Sequence, residues 1–251
     1  MESIFLPSKM YFTPGAAANE ATLTIEPLHH GYGTTVGNAL RRVLLSSLPG
    51  AAVTAMKIKG VQHEFSTVPG VKEDVLDIML NLKKLRMKVH SDEPVVLKLN
   101  VSKAGDVTAA MIEPNADVDI ANPDLAFATI TEDGAVLDME ITVSKGRGYV
   151  PTEERERPTT EIGVIAIDAL FSPVSNVGFR VENTRVGEIT NYDKLIMSIT
   201  SDGTITPQEA VEQSTKILQN HFTWIQGQLS HASLTEQIAR ASEEAPQEPQ
   251  A

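Results

Sequence analysis

Gly31, Gly33 and Gly37 stand between an alternating Thr/Leu/Ile stretch and an apolar-periodic run, the place a phosphate-binding loop would occupy. In such loops glycine lets backbone amides approach a pyrophosphate at a helix N-terminus. The spacing is GxGxxxG, not the GxGxxG of a dinucleotide loop, and no βαβ unit surrounds it. Asn115, Asp117 and Asp119 alternate as cation ligands can, but Ile120 fills the position where a calcium loop needs glycine. Interleaved with Ala116 and Val118, these polar residues read more simply as the wet face of a strand. His29-His30 and His63-Glu64 lack a third ligand at metal-site spacing. No serine sits in a GxSxG elbow. The sequence therefore offers no catalytic residues, no metal ligands and no cofactor site. A nucleotide-binding enzyme built on the strand–GYG–helix element is the competing reading, and it explains only three glycines.

The helix that follows those glycines is more informative. Val36, Ala39, Leu40, Val43, Leu44, Ser47 and Leu48 keep the i, i+3, i+4 spacing of one buried face. Thr34 is the expected N-cap, and Pro49-Gly50 stops the helix. Asn38, Arg41, Arg42 and Leu45 project from the opposite side, with no acid placed to pair either arginine at i+3 or i+4. A solvated outer face is usually rich in Glu and Lys. Two unpaired guanidiniums beside an amide and a leucine suit docking onto a protein partner.

Other elements must frame this helix. Ala21 to Pro27 alternates as a half-buried strand, and Val53 to Lys59 and Val95 to Val101 do the same. Leu125–Thr131 and Val136–Val143 flank a Glu132-Asp133-Gly134 turn and are expected to form a hairpin. A helix is expected from about Val71 to Leu82, with Val75, Ile78, Met79 and Leu82 on one face. Lys145 to Pro158, rich in Gly, Pro and charge, is expected to be a loop. The basic run Lys83, Lys84, Arg86 and Lys88 reads equally as a solvated helix end or a partner contact. Lys194 to Thr200 forms a strand leading into a Ser201-Asp202-Gly203 turn. Thr206-Pro207-Gln208-Glu209 is a capping box with proline at the first helical position. The final helix lines up Val211, Ser214, Leu218, Phe222 and Ile225. Ala210, Ile217, His221 and Trp224 widen that stripe to nearly half the cylinder, which suits either a deeply buried helix or one that packs on a sheet and on another subunit.

Composition fits this reading. The chain has 251 residues, 41% hydrophobic, no cysteine and a net charge of −12. Disulfides and thiolate zinc sites are excluded, and so large an acidic excess argues against a general nucleic-acid binder. The N-terminal residues lack a signal peptide's pattern, and no apolar run would span a membrane. The expected location is cytoplasmic.

Gly31 to Lys83, reading GYGTTVGNALRRVLLSSLPGAAVTAMKIKGVQHEFSTVPGVKEDVLDIMLNLK, closely resembles the α-subunit family of bacterial-type DNA-dependent RNA polymerases. The resemblance continues at Lys145–Pro151, Ile167-Asp168-Ala169, Ser172-Pro173-Val174, Val181-Glu182, Arg185-Val186 and Asp202–Ile205, and covers Pro7 to Leu229 in order. It implies an α+β fold: a discontinuous dimerisation domain of one sheet and two helices, residues 1–49 and 182–229, interrupted by a β-rich insert, residues 50–181. Residues 230–251 are expected to be a disordered, acidic tail. The resemblance further implies a homodimer on which the β and β′ subunits assemble, those subunits carrying the nucleotidyl-transfer chemistry. By the same resemblance Arg42 should contact the β subunit, with Asn38, Arg41, Leu45 and Ser46 beside it. His63, Glu64 and Phe65 form a second candidate surface, and Lys83 a further large-subunit contact. Leu40, Leu44, Leu218, Phe222 and Ile225 are the candidate dimer core. The small DNA-binding domain common in the family has no counterpart after the acidic tail, so no direct DNA contact is expected.

Overall fold

The computed structural model describes residues 4–155 and 162–243, the stretch 230–243 for its backbone course only. In chain order the first elements are β1 (Lys9–Pro14), β2 (Glu20–Leu28), α1 (Tyr32–Ser46), β3 (Pro49–Ile58) and α2 (Val75–Leu82). Then come β4 (Met87–Val89), β5 (Val95–Val101), β6 (Gly105–Thr108), β7 (Val118–Ile120), β8 (Ala126–Ile130) and β9 (Leu137–Arg147). The chain closes with β10 (Tyr149–Val150), β11 (Val164–Ala166), β12 (Ala169–Leu170), β13 (Val174–Val186), β14 (Ile189–Ser201) and α3 (Pro207–Glu243).

These elements gather around two separate apolar cores, an α+β arrangement. The first core joins both ends of the chain. Its sheet runs β1-β2-β14-β13, antiparallel throughout. Leu23 and Ile25 on β2, Leu195, Met197 and Ile199 on β14 and Val177 on β13 turn one face inward, as a period of two requires. Leu40 and Leu44 of the first helix, Leu48 just after it, and Ala210 and Val211 of the last close over that face. Buried leucines of this kind are worth about 2–5 kcal/mol relative to alanine. The second core lies under the sheet β11-β3-β9-β5 and the helix α2. Ile58, Ile78, Leu82, Leu99, Phe127 and Ile141 are among its fully enclosed side chains.

Several expectations change here. The first core resumes at Val174, not at 182, because β13 begins there and Val174 and Val177 are already buried in it. The expected hairpin does not form: β8 pairs with β6, while β9 lies between β3 and β5. The Gly134 turn is real (φ 91°), but the two strands it joins enter different sheets. The second helix starts at Val75, because the Asp74 side chain caps it through the Asp77 amide at 2.7 Å. Glu73 is diverted outward, its carboxylate accepting the Thr129 amide at 2.6 Å. The expected loop from Lys145 begins as strand: β9 continues to Arg147, and Tyr149–Val150 pairs with Ala169–Leu170. The part of that loop at 156–158 lies outside the described residues, as do 244–251 of the expected tail. Residues 230–243, assigned to the same tail, continue α3 as helix.

The capping box is formed as its residues require. The Glu209 amide donates to Thr206 Oγ1 at 3.2 Å, and Glu209 Oε2 accepts the Thr206 amide at 2.9 Å. Thr206→Ala should lower stability by about 1 kcal/mol, read as a shift of the urea midpoint at constant m.

Candidate functional site

The helix α1 starts at Gly31, which takes the left-handed conformation (φ 84°) that frees the chain to turn from β2. Thr34 therefore lies inside the first turn and does not cap it. Gly33 and Gly37 face the sheet. A Cβ at Gly33 would stand 2.8 Å from Val181 Cγ1, and one at Gly37 would stand 2.7 Å from the Phe179 ring. Their spacing, one helical turn apart, is that of a close helix–strand packing line. The Gly33 amide, one of the free donors of the helix N-terminus, is taken by Asp193 Oδ2 at 2.9 Å. Asp193 is 5% exposed, so the protein's own carboxylate sits where a phosphate would bind. Sequence reasoning missed Asp193. The signal was available: it is an acid on the same strand phase as Leu195, Met197 and Ile199.

With one face of α1 committed to the sheet, Asn38, Arg41, Arg42 and Ser46 are exposed on the other. Among the described residues, neither guanidinium has a hydrogen-bond or ion-pair partner. Ser46 Oγ donates to the Arg42 carbonyl at 2.8 Å, so its hydroxyl serves the helix itself. Leu45, expected to project with the arginines, is half-buried against the first core. Leu40 and Leu44, assigned to contact between copies, are 5% and 0% exposed inside their own protomer. They fill the space between helix and sheet and leave little surface for a second chain.

The last helix behaves differently along its length. It touches α1, β2 and β14 near its start. Ala210, Val211 and Ser214 are buried there, and Ile217 and Leu218 are half-buried. Past this point Phe222, Trp224, Ile225 and Leu229 are 65%, 66%, 49% and 68% exposed. The apolar stripe thus outruns the sheet it packs on.

The remaining sequence candidates lie on the second core. Residues 63–66 form a tight turn, with the Ser66 amide on the His63 carbonyl at 3.3 Å and Ser66 Oγ against His63 Nδ1 at 3.1 Å. The turn presents Phe65, 79% exposed, beside the half-buried Glu64. β3, ten residues long, separates it from the end of α1 by on the order of 30 Å. The structure therefore offers two surfaces and does not merge them. Lys83 is engaged within the chain: its Nζ donates to Asp168 Oδ2 at 3.2 Å, and the Thr152 amide donates to Asp168 Oδ1 at 3.1 Å. The Arg155 guanidinium docks nearby on the carbonyls of Thr54 and Ile167.

The Thr152 amide holds the Asp168 carboxyl below the ordinary carboxylate range; Lys83 lowers it further and burial opposes both. A depressed folded-state pKa gives stability that is present above the unfolded value of about 3.9 and lost as pH falls through the folded one. Urea midpoints measured between about pH 2 and pH 5 should accordingly fall less steeply in Asp168→Asn than in the parent. Equal slopes for the two chains would mean that this carboxylate does not contribute to acid unfolding.

Among the described residues, no three His, Asp or Glu side chains converge on a common point as a metal site would need. A family model described as the RNA polymerase Rpb3/RpoA insert domain matches residues 56–172, the stretch that carries most of the second core. The DNA-directed RNA polymerase α subunit of Desulfitobacterium hafniense is 50% identical over 225 residues, covering 90% of this chain and 71% of that protein. The chain belongs to the bacterial RNA polymerase α-subunit family. The α subunit of Symbiobacterium thermophilum is 56% identical over 198 residues, 79% of this chain and 62% of its own length. That of Oceanobacillus iheyensis is 50% identical over 220 residues, 88% of this chain and 70% of its own. The chain spans about 62% of the length of the first relatives it matches. Gly31 supplies the left-handed turn, Gly33 and Gly37 are steric requirements of helix-on-sheet packing, and the Gly33 amide is already bonded.

Proposed function

We propose that this chain is a non-catalytic assembly subunit of a DNA-dependent RNA polymerase, acting in the cytoplasm as a homodimer that carries the β and β′ subunits. The observation that carries the reading is the exposed apolar run Phe222, Trp224, Ile225 and Leu229 on α3, beyond the reach of its own sheet. A large contiguous apolar surface of this kind marks an interaction site. A second copy supplies the same surface in a self-complementary contact. Leu218 stands where the stripe leaves the protomer, and Leu40 and Leu44 support the contact from beneath by fixing α1.

The arginine face of the first helix is the surface offered to a large subunit. Arg41 and Arg42 are held on a rigid helix, unpaired, with Asn38 between them and the N-terminus, a geometry suited to carboxylates or backbone carbonyls of a partner. The 63–66 turn with Phe65, and the Lys83 region, are further contacts on the insert. No helix among the described residues is long and apolar enough to cross a membrane. Sedimentation of the isolated chain should give twice the protomer mass at micromolar concentration, and co-expression with the two large subunits should yield a complex that co-purifies. A monomer that also fails to retain either large subunit would overturn the proposal.

A further inference from the structure

The chain crosses between its two cores twice, and both crossings meet at one residue. Leu48 is the last buried residue of the first core before β3, and Val174 is the first after the insert. Two residues beyond Leu48, Gly50 faces Gly146 across the β3–β9 ladder. Neither glycine has a positive φ, so the pair is not there for backbone freedom. It is there for space. The Phe171 carbonyl oxygen would lie 1.8 Å from a Cβ on Gly50, and the Phe171 ring would lie 2.6 Å from one on Gly146. Its amide donates to the Gly148 carbonyl at 2.8 Å, and a Cβ on Gly148 would meet the Ser46 carbonyl of α1 at 3.2 Å. Phe171 is 5% exposed, within a small apolar cluster of Ala52 and Ala169 with Val150 against it, separate from both main cores.

We propose that Phe171, its ring against Gly146 and its carbonyl against Gly50 where the two crossings meet, is a positioning residue that locks the angle between the two bodies. Bodies joined by short crossings move relative to one another unless their interface is large or keyed. Here the key is Phe171 itself, its ring in the space Gly146 leaves and its backbone carbonyl in the space Gly50 leaves. A packed contact of this density has one arrangement and does not deform continuously. The lock holds the arginine face on the first body and the 63–66 turn on the second at a fixed separation, which a rigid partner touching both would require.

The absence of cysteine allows selective labelling: Thr35→Cys on α1 and Lys98→Cys on β5, both exposed, would carry spin labels. Labelled chain diluted with unlabelled chain isolates the distance within one protomer, read by pulsed dipolar spectroscopy. The parent should give one narrow distance distribution. Phe171→Ala should broaden it about twofold or more, as expected for bodies freed to rotate. Gly146→Ala should shift its centre, because the new methyl displaces the ring. Adding Phe171→Leu to Gly146→Ala should return the centre toward the parent value. Distributions superimposable on the parent in Phe171→Ala, with circular dichroism retained, would overturn the proposal. If Phe171→Ala does not fold, Phe171→Leu alone decides by the same readout: broadening supports the lock and an unchanged width overturns it. No large subunit enters this measurement, so its failure is distinct from a failure of the assembly reading.

Discussion

Phe222→Glu should turn a dimeric chain into a monomer without unfolding it. Phe222 is 65% exposed in the protomer, so a glutamate there meets water when the chain is alone and costs its fold little. In a self-complementary contact the same substitution places a carboxylate in each half of the interface. Each loses its hydration with no cation assigned to it, and the aromatic area is lost as well. The expected penalty is about 3 kcal/mol or more, roughly a hundredfold or greater weakening of the dimer. Sedimentation equilibrium across a concentration series measures it directly, and urea unfolding beside it checks that the protomer is intact. A variant that stays dimeric at the parent's dissociation constant would place the copy-to-copy contact elsewhere. Leu44→Ala, in contrast, should lower protomer stability, because Leu44 is fully enclosed in its own core.

Arg42→Ala should leave fold and dimer unchanged and weaken capture of the β subunit by about 2–5 kcal/mol. The side chain lies off the buried face of α1 and has no partner among the described residues, so nothing in the protomer depends on it. Its contribution appears only when a partner's acceptors enclose the guanidinium. Truncation then leaves those acceptors desolvated and unpaired, which is why the effect exceeds that of a surface ion pair. Arg42→Lys should recover only part of the affinity, since an ammonium lacks the planar, multi-donor head. Competition of tagged variant against untagged parent for limiting β subunit gives the ratio of affinities. A ratio near one would remove Arg42 from the docking surface.

Elements with a strong local signal are legible in the residues. The capping box at Thr206 is written in consecutive positions and forms as read; the apolar spacing of α1 likewise puts Leu40 and Leu44 on its buried face, although Gly31 and not Thr34 begins the helix. Pairing partners are not. Leu125–Thr131 and Val136–Val143 have the alternation and the turn of a hairpin, yet β9 pairs with β3 and β5 because those strands complete the second core around Ile141 and Met139. Local turn chemistry cannot outweigh the burial gained across a four-stranded sheet. The boundary at Val174 was missed for a similar reason. Val174 and Val177 look alike on any strand, and only the register that sets Val177 opposite Ile199 of β14 assigns them to the first core.

The site divides along the same line. Which face of the first helix carries free arginines follows from periodicity alone, because 3.6 residues per turn separates Arg41 and Arg42 from Leu40 and Leu44. That the Gly33 amide is already bonded depends on Asp193, a residue 160 positions away that arrives only when β14 lies beside β2. Likewise Lys83 reads as a free basic residue until the insert brings Asp168 to 3.2 Å from it. The sequence by itself determined α1, the start of α3, several strands with their buried faces and the family, since these rest on short-range patterns of side-chain type. Tertiary structure alone decided which charges are already spent inside the chain, which leucines belong to the protomer and how far the apolar face of α3 extends past it. Those depend on contacts between residues distant in the chain, and burial is a property of the assembled surface that no local pattern encodes.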